Sequence, residues 1–363
     1  MDTFNSLLSR QNVIMTVEMH TSGEPTRIVI SGYPPLLGTT LLEKRRYAKE
    51  HHDNIRRRLM LEPRGHAGMY GAILVQETEL TRSGEADIGV LFCHNEGYST
   101  MCGHATIALG RFLVDTRDLE MFPRRDTLRT VNGTTELRIH APCGVIRVSV
   151  PFNSNEVTFL GAPSFVSKRG LLVDIPLNER GCISREQVTV DVAYGGAFYA
   201  LVSVQQLGVK DNIAEAAAAI ERLVNLKATQ EEIIKHPTER DLEFLYGVIV
   251  TDKTQGGPRG ELGLCFFAGG QVDRSPTGSG VMARVALAVE EGWLGIGTDE
   301  WWRYESVVSL QKDTLGFQGS AMELREEGIV VKVKGKANYT GASAFVCEEQ
   351  DPLKDGFVLS FPE

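Results

Sequence analysis

Short runs of alternating apolar and polar residues recur along most of the chain. In the first part they are NVIMTVEM (12–19), TRIVIS (26–31), GAILVQ (71–76), ADIGVLF (86–92), GVIRVSV (144–150) and EVTFL (156–160). Later come QVTVDVAY (187–194), AFYALVSV (197–204), LYGVIVT (245–251), LGLCFF (262–267) and IVVKVKG (329–335). They are rich in Val, Ile, Phe and Tyr, and several alternate at period two, which predicts strands. Helical patterns are fewer. LLEKRRYAKEHHDNIRRRLML predicts one long charged helix over 41–61, stopped by Pro63. DNIAEAAAAIERLVNL predicts an Ala-rich helix over 211–226 with Asp211 as its cap. Two more follow small-residue breaks. After Cys102 the apolar residues fall at 105, 108, 109, 112 and 113, and after Gly280 at 281, 282, 285, 286 and 289, one helical stripe in each case.

The breaks before those two helices match. STMCGHATIALG (99–110) and RSPTGSGVMARV (274–285) share the order small residue, any residue, Cys or Thr, Gly, His or Ser, small residue, then an apolar helix. We read this as a distant internal duplication in which each half of the chain delivers one helix N-terminus. Such a terminus has unpaired backbone N–H groups and the positive end of the helix dipole, so it holds an anion such as a carboxylate. It also favours a thiolate over a thiol. Glycines at 103 and 278 let a ligand approach the backbone closely. The pattern predicts Cys102 as a thiolate at the mouth of a carboxylate pocket, with His104 hydrogen-bonding the ligand or the sulfur. Asp273, four residues before Thr277, is placed to accept from a ligand ammonium. Each residue also has a plainer reading on its own. A cysteine before an apolar helix is a small buried hydrophobe, His104 an interior histidine, Asp273 a turn former, and Thr277 part of a loop.

Composition removes other classes. The chain has 363 residues, room for about two domains, with 42% hydrophobic and 23% charged residues. A formal net charge of −9 and the lack of a basic block argue against a nucleic-acid partner. The short run Arg56–Arg58 is read as a solvated helix face. No apolar run approaches a membrane span, and MDTFNSLLSRQN does not resemble a secretory signal. Six cysteines are scattered without a CxxC pair, which fits reduced thiols in a cytosolic enzyme. His51, His52 and His66 do not have metal-ligand spacing, so no metal is expected. GG (195–196) and QGGPRG (255–260) lack a nucleotide-binding pattern, and no serine sits in a GxSxG elbow. Nothing points to an organic cofactor.

Several stretches resemble the proline racemase family, within the cofactor-independent amino-acid racemases and epimerases. They are HTSGEPTRIVISG (20–32), EPRGHAGMYGAILV (62–75), EGYSTMCGHATIALG (96–110), YGGAFYALV (194–202) and DRSPTGSG (273–280). The resemblance covers nearly the whole chain. It implies an α+β fold of the diaminopimelate epimerase-like type: two pseudo-symmetric halves, each an open barrel-like sheet around a central helix, with a small amino-acid substrate between the two helix starts. It also implies a homodimer. The expected halves are residues 1–190, with roughly 343–363 returning, and residues 191–342.

Racemising members of the family use two cysteines, one for each face of the α-carbon. Here the first is Cys102 and the second is replaced by Thr277. A threonine hydroxyl is a far weaker acid and base than a thiol, so two-faced proton exchange is expected to fail. The resemblance then implies dehydration of trans-3-hydroxy-L-proline to 1-pyrroline-2-carboxylate, with Cys102 and Thr277 as catalytic positions. Gly103, His104, Asp273, Gly278 and Ser279 are the implied substrate-binding residues. A proline or 4-hydroxyproline 2-epimerase that tolerates threonine, and a non-catalytic amino-acid-binding protein on the same scaffold, remain open.

Overall fold

A computed structural model describes residues 2–10, 13–161, 163–209, 212–312 and 316–359. Its strands in chain order are β1 (Ile14–Thr21), β2 (Glu24–Ser31), β3 (Tyr70–Val75), β4 (Ile88–His94), β5 (Tyr98–Ser99), β6 (Arg129–Val131), β7 (Thr134–Ala141), β8 (Gly144–Pro151) and β9 (Glu156–Leu160). They continue with β10 (Phe165–Asp174), β11 (Gln187–Tyr194), β12 (Phe198–Ser203), β13 (Leu245–Asp252), β14 (Gly260–Phe267), β15 (Gln271–Val272), β16 (Trp302–Glu305), β17 (Phe317–Arg325) and β18 (Gly328–Phe345). The helices are α1 (Asp2–Leu8), α2 (Leu41–His51), α3 (Asp53–Met60), α4 (Glu79–Ser83), α5 (Gly103–Asp115), α6 (Val204–Leu207), α7 (Ile213–Glu231), α8 (Gly278–Glu290) and α9 (Val307–Gln311). The fold is α+β, and the chain divides into two compact units: Met1–Val157 with Lys336–Glu363, and Thr158–Gly335.

In the first unit β1 pairs antiparallel with β2, β2 parallel with β3, β3 antiparallel with β4, β4 parallel with β7, and β7 antiparallel with β8. The later part of β18, from Ala337, lines the free side of β1. In the second unit β11 pairs antiparallel with β12, β12 parallel with β13, β13 antiparallel with β14, β14 parallel with β16, and β16 antiparallel with β17. Strand β10 lines the free side of β11. The two series of pairings are the same. In each unit a two-residue strand, β5 or β15, folds back on β4 or β14 just before the long helix. Helices α5 and α8 therefore occupy equivalent crossovers, which gives the internal duplication a topological form.

Both helices are wrapped by sheet. α5 packs against β1, β2, β3, β7 and β8, and α8 against β10, β11, β12 and β17. Every residue from Gly103 to Gly110, and every residue from Gly278 to Ala286, is buried. The stripe predicted from the sequence is only part of the buried surface, because a curved sheet covers a helix on more than one side. Small residues permit this closeness. A Cβ on Gly110 would meet the Val148 side chain at 2.6 Å.

Outside these helices, α2 and α3 pack Leu41, Ala48, Leu59 and Met60 onto Val29, Ile73 and Leu91. α7 packs Ala216, Ala217, Ile220 and Val224 onto the sheet of the second unit, with Val248 and Val250 among the partners. Burial of each Ile or Val side chain there contributes about 1.5–3 kcal/mol.

Three local predictions change. The segment 41–61 is two helices, not one. His52, at φ −131°, ends α2 and precedes α3, so the chain turns where His51, His52 and Asp53 crowd together. Arg56 is not part of a solvated face. It is buried, paired with Asp53, and donates from Nη1 to the carbonyl oxygens of His94, at 2.7 Å, and Asn95. The neighbouring Arg57 is exposed. Asp211, the predicted cap of the Ala-rich helix, and Asn12, the predicted start of the first strand, lie outside the described residues. The cap of α7 is Asn212, whose side chain accepts from the N–H groups of Ala214 and Glu215.

Candidate active site

In the first unit the site is built on the start of α5. Cys102 is its N-cap residue, in extended conformation (φ −145°, ψ 113°). Its backbone is fixed from below. The carbonyl oxygen of Cys102 accepts from the Thr106 N–H at 3.0 Å and from Thr106 Oγ1 at 2.6 Å. Its side chain turns back over the helix, where Sγ accepts from the Ala105 N–H at 3.4 Å. A sulfur held as an N-cap acceptor lies at the positive end of the helix dipole, the setting in which thiolates are favoured. Two other thiols of the first unit have a different setting. Burial pushes Cys93 and Cys143 up to about 12, so both stay protonated and inert near neutrality.

His104 lies beside the sulfur, with Nδ1 3.3 Å and Nε2 3.6 Å from Sγ. Contacts with Tyr70 and Thr21 help to hold it. The Tyr70 ring packs edge-on at 4.7 Å between centroids, and Thr21 Oγ1 donates to the His104 carbonyl at 2.9 Å. Thr21 is placed by the β1–β2 hairpin, whose two turn residues, Ser22 and Gly23, both have positive φ. Tyr70 is in turn joined to Ser99 through its hydroxyl.

The second unit places Thr277 at the start of α8, with different geometry. Thr277 has φ 60° and ψ 93°, in the left-handed half of the map where a β-branched residue is strained, and its side chain caps nothing. Its Oγ1 instead donates to Asp273 Oδ2 at 2.7 Å. Asp273 Oδ1 accepts from the Ser275 N–H at 2.8 Å, and Ser275 Oγ accepts from the Thr277 N–H at 3.1 Å. The single hydroxyl proton of Thr277 is thus committed to Asp273. What Oγ1 can offer a ligand is its lone pairs. Ser279, in the first turn of α8, shares a hydrogen bond with the Tyr199 hydroxyl at 2.7 Å. Burial raises the Tyr199 phenol well above its ordinary value, so it remains a neutral donor or acceptor.

The glycine pair at 195–196 acquires a role here. A Cβ on Gly195 would meet the Ser279 carbonyl oxygen at 2.1 Å and the Ala283 nitrogen at 2.6 Å. The β11–β12 turn therefore rests against the backbone of α8 as the β1–β2 turn rests on α5. The sequence reading missed Thr21, Tyr70, Gly195 and Tyr199. The quoted motifs HTSGE and YGGAFY contained three of them, and the tight turns were their signal.

The predicted residues thus fall into two clusters, Cys102 with Gly103 and His104, and Asp273 with Thr277, Gly278 and Ser279, each at the first turn of its unit's buried helix. Among the described residues no group of three or more His, Cys, Asp or Glu side chains is arranged to hold a metal ion. Among them also, no helix is long and apolar enough to cross a membrane.

Known structures share this architecture. A probable proline racemase from Agrobacterium radiobacter K84 superimposes with a TM-score of 0.78 at 22% identity, covering 95% of this chain and 96% of that one. A hydroxyproline epimerase from Agrobacterium vitis gives 0.77 at 20% identity, covering 96% of each. These define the class of fold: the proline racemase-like α+β type. The family model described as proline racemase matches residues 16–358, and the chain belongs to the proline racemase family. Among its relatives are proteins named trans-3-hydroxy-L-proline dehydratase. The one from Homo sapiens is 43% identical over 364 residues, covering 96% of this chain and 95% of that protein. The one from Bacillus thuringiensis is 36% identical over 360 residues, covering 96% and 98%.

Proposed function

We propose that this chain is a cofactor-independent hydro-lyase that dehydrates trans-3-hydroxy-L-proline to 1-pyrroline-2-carboxylate. Relatives bearing that name at 43% identity support the substrate and the reaction. The observation that carries the reading is the chemical inequality of the two helix starts. One presents a sulfur held as an acceptor, and the other a hydroxyl whose proton is committed to a carboxylate.

The stereochemistry of the substrate needs no more than that. Its hydroxyl is trans to the carboxylate and so shares a ring face with the α-hydrogen. The Cys102 thiolate takes the α-proton, forming S–H. The electron pair of the broken C–H bond becomes a ring double bond as the adjacent C–O bond breaks. The departing oxygen takes a proton from the Cys102–His104 pair and leaves as water, which returns the sulfur to its starting state. The enamine then tautomerises to the cyclic imine. Backbone N–H groups at Gly103, Gly278 and Ser279 hold the carboxylate and stabilise the charge that builds on it. His104 and Asp273 position the thiol and the ring nitrogen. Thr277 stands where a second acid would, and accepts a hydrogen bond without supplying a proton.

The test is direct. The purified protein is given trans-3-hydroxy-L-proline and the mixture is followed for loss of water and appearance of the imine. Product from the wild type and none from Cys102→Ala is expected. Absence of product from the wild type removes the reading. Inversion of proline or 4-hydroxyproline at the α-carbon, without dehydration, selects an epimerase instead. Six unpaired cysteines support a reducing, cytoplasmic setting. The family resemblance supports a homodimer, which light scattering on the purified protein checks.

A further inference from the structure

Arg284, on the second turn of α8, is buried and carries a charge that the proposed reaction does not use. Its surroundings are built around it. Glu261 of β14, also buried, lies 3.4 Å from Nη1, and the guanidinium stacks over the Tyr304 ring of β16 at 4.6 Å. Residue 263 of β14 is a glycine, and a Cβ there would meet Nη1 at 2.2 Å. The guanidinium donates from Nη2 to the Pro276 carbonyl oxygen at 2.9 Å, while Nη1 faces Glu261.

That bond falls on the peptide that precedes Thr277. Arg284 holds its carbonyl oxygen, and Ser275 Oγ holds its N–H. The peptide plane is clamped at both polar atoms, and the φ of Thr277 is the rotation measured against that plane. A non-glycine residue persists at positive φ only where its surroundings over-determine it. We propose that Arg284 is a positioning residue: seated by Glu261, Tyr304 and Gly263, it orients the Pro276–Thr277 peptide and so keeps the Thr277 hydroxyl on Asp273. The proposal deepens the functional reading above, and its activity arm rests on that reading.

The test uses the full-length protein. Removing Arg284 alone strands Glu261 as a buried acid, so the main variant is the pair Arg284→Met with Glu261→Gln, which leaves no unpaired charge. Arg284→Lys is the conservative partner. Hydrogen–deuterium exchange of the segment from Asp273 to Val281 is read first, because it needs no substrate. Exchange there should rise about tenfold or more in the double variant and partly recover in Arg284→Lys, with the β12–β13 segments unchanged. Turnover of trans-3-hydroxy-L-proline should fall about 10- to 100-fold, mainly in kcat. The discriminating arm puts the same changes into Thr277→Gly, since glycine adopts φ 60° without a clamp. There they should change neither turnover nor exchange beyond about twofold, because Arg284 has nothing left to hold. Unchanged exchange in the double variant overturns the proposal. So does an equally large loss in the Thr277→Gly background, which marks a merely structural arginine. A wild type that makes no imine fails the functional reading alone, and the exchange arms still decide this one.

Discussion

The starts of α5 and α8 occupy the same place in two units of the same strand order, and they hold their key side chains in opposite ways. Cys102 lies in extended conformation and bends back over its own helix, accepting from an amide of the first turn. Thr277 lies at positive φ and turns away from its helix to donate to Asp273 in the preceding loop. Under the function proposed above, one acceptor and one occupied hydroxyl suit a reaction confined to a single face, whereas two like groups would serve proton exchange. The difference resides in one side chain and the loop that holds it, while sheet order and helix burial stay common to both units.

The largest expected effect removes the sulfur. Cys102→Ala should lower dehydration of trans-3-hydroxy-L-proline by at least about a thousandfold, or roughly 4 kcal/mol, measured as imine formation at saturating substrate. Gly195→Ala breaks the comparison from the other unit, by driving a methyl into the backbone of α8. A loss of about 3 kcal/mol in urea unfolding is expected, because both atoms it meets are backbone and cannot move aside cheaply.

Acid should separate the units next. Burial lowers His94 to about 4 and also lowers His20 and His140, all in the first unit, whereas His236 is the histidine so lowered in the second. A histidine depressed on folding contributes stability above its unfolded value near 6.5, and that contribution fades as pH falls through its folded value. Between pH 7 and pH 5 His94 alone should cost about 2 kcal/mol. The melting temperature should fall over that range, and His94→Gln should flatten the fall. Exchange protection should disappear first in the Cys102 unit.

Asp273→Asn is a smaller change. The carboxylate that orders Thr277 becomes an amide, and turnover should drop about tenfold with folding little altered, as read by steady-state kinetics and a melting curve. Thr277→Cys carries the least expected effect and tests the comparison most directly. A second thiol should give slow inversion of proline at the α-carbon, read as formation of the D-enantiomer, above the level of the wild type. No inversion there, with the variant folded, separates the missing acid from the explanation of one-faced chemistry.

Much of this was legible in the sequence where local pattern and burial agree. β1, β2, β11 and β13 alternate or run apolar as predicted, and the two helix starts stood out by their small residues. Strand β10 escaped because its first half, FVSKRG, is partly exposed and polar, so the pairing with β11 decides it, not its own composition. β7 and β17 begin or end in exposed polar residues for the same reason. The break at His52 escaped because the helical pattern continues across it. At the two helix starts, the positions of Cys102 and Thr277 were legible in the sequence, but their opposite orientations were not. Those depend on the φ angles of the two residues and on the hydrogen bonds their side chains make, Cys102 with the Ala105 amide and Thr277 with Asp273, which residue type alone does not specify.

Strand β18 passes from one unit into the other between Gly335 and Lys336, and its last residues lie beside the first strand of the protein, Ala337 opposite Thr21 and Phe345 opposite Ile14. During biosynthesis the chain leaves the ribosome from its N-terminus, so β1 emerges before the whole Thr277 unit and waits for this partner until residues 337–345 have been made. The Thr277 unit is one uninterrupted stretch and can close while the ribosome is still working. The unit that bears Cys102 is therefore completed after the other, and a nascent chain that stops before residue 336 has no finished sheet around Cys102.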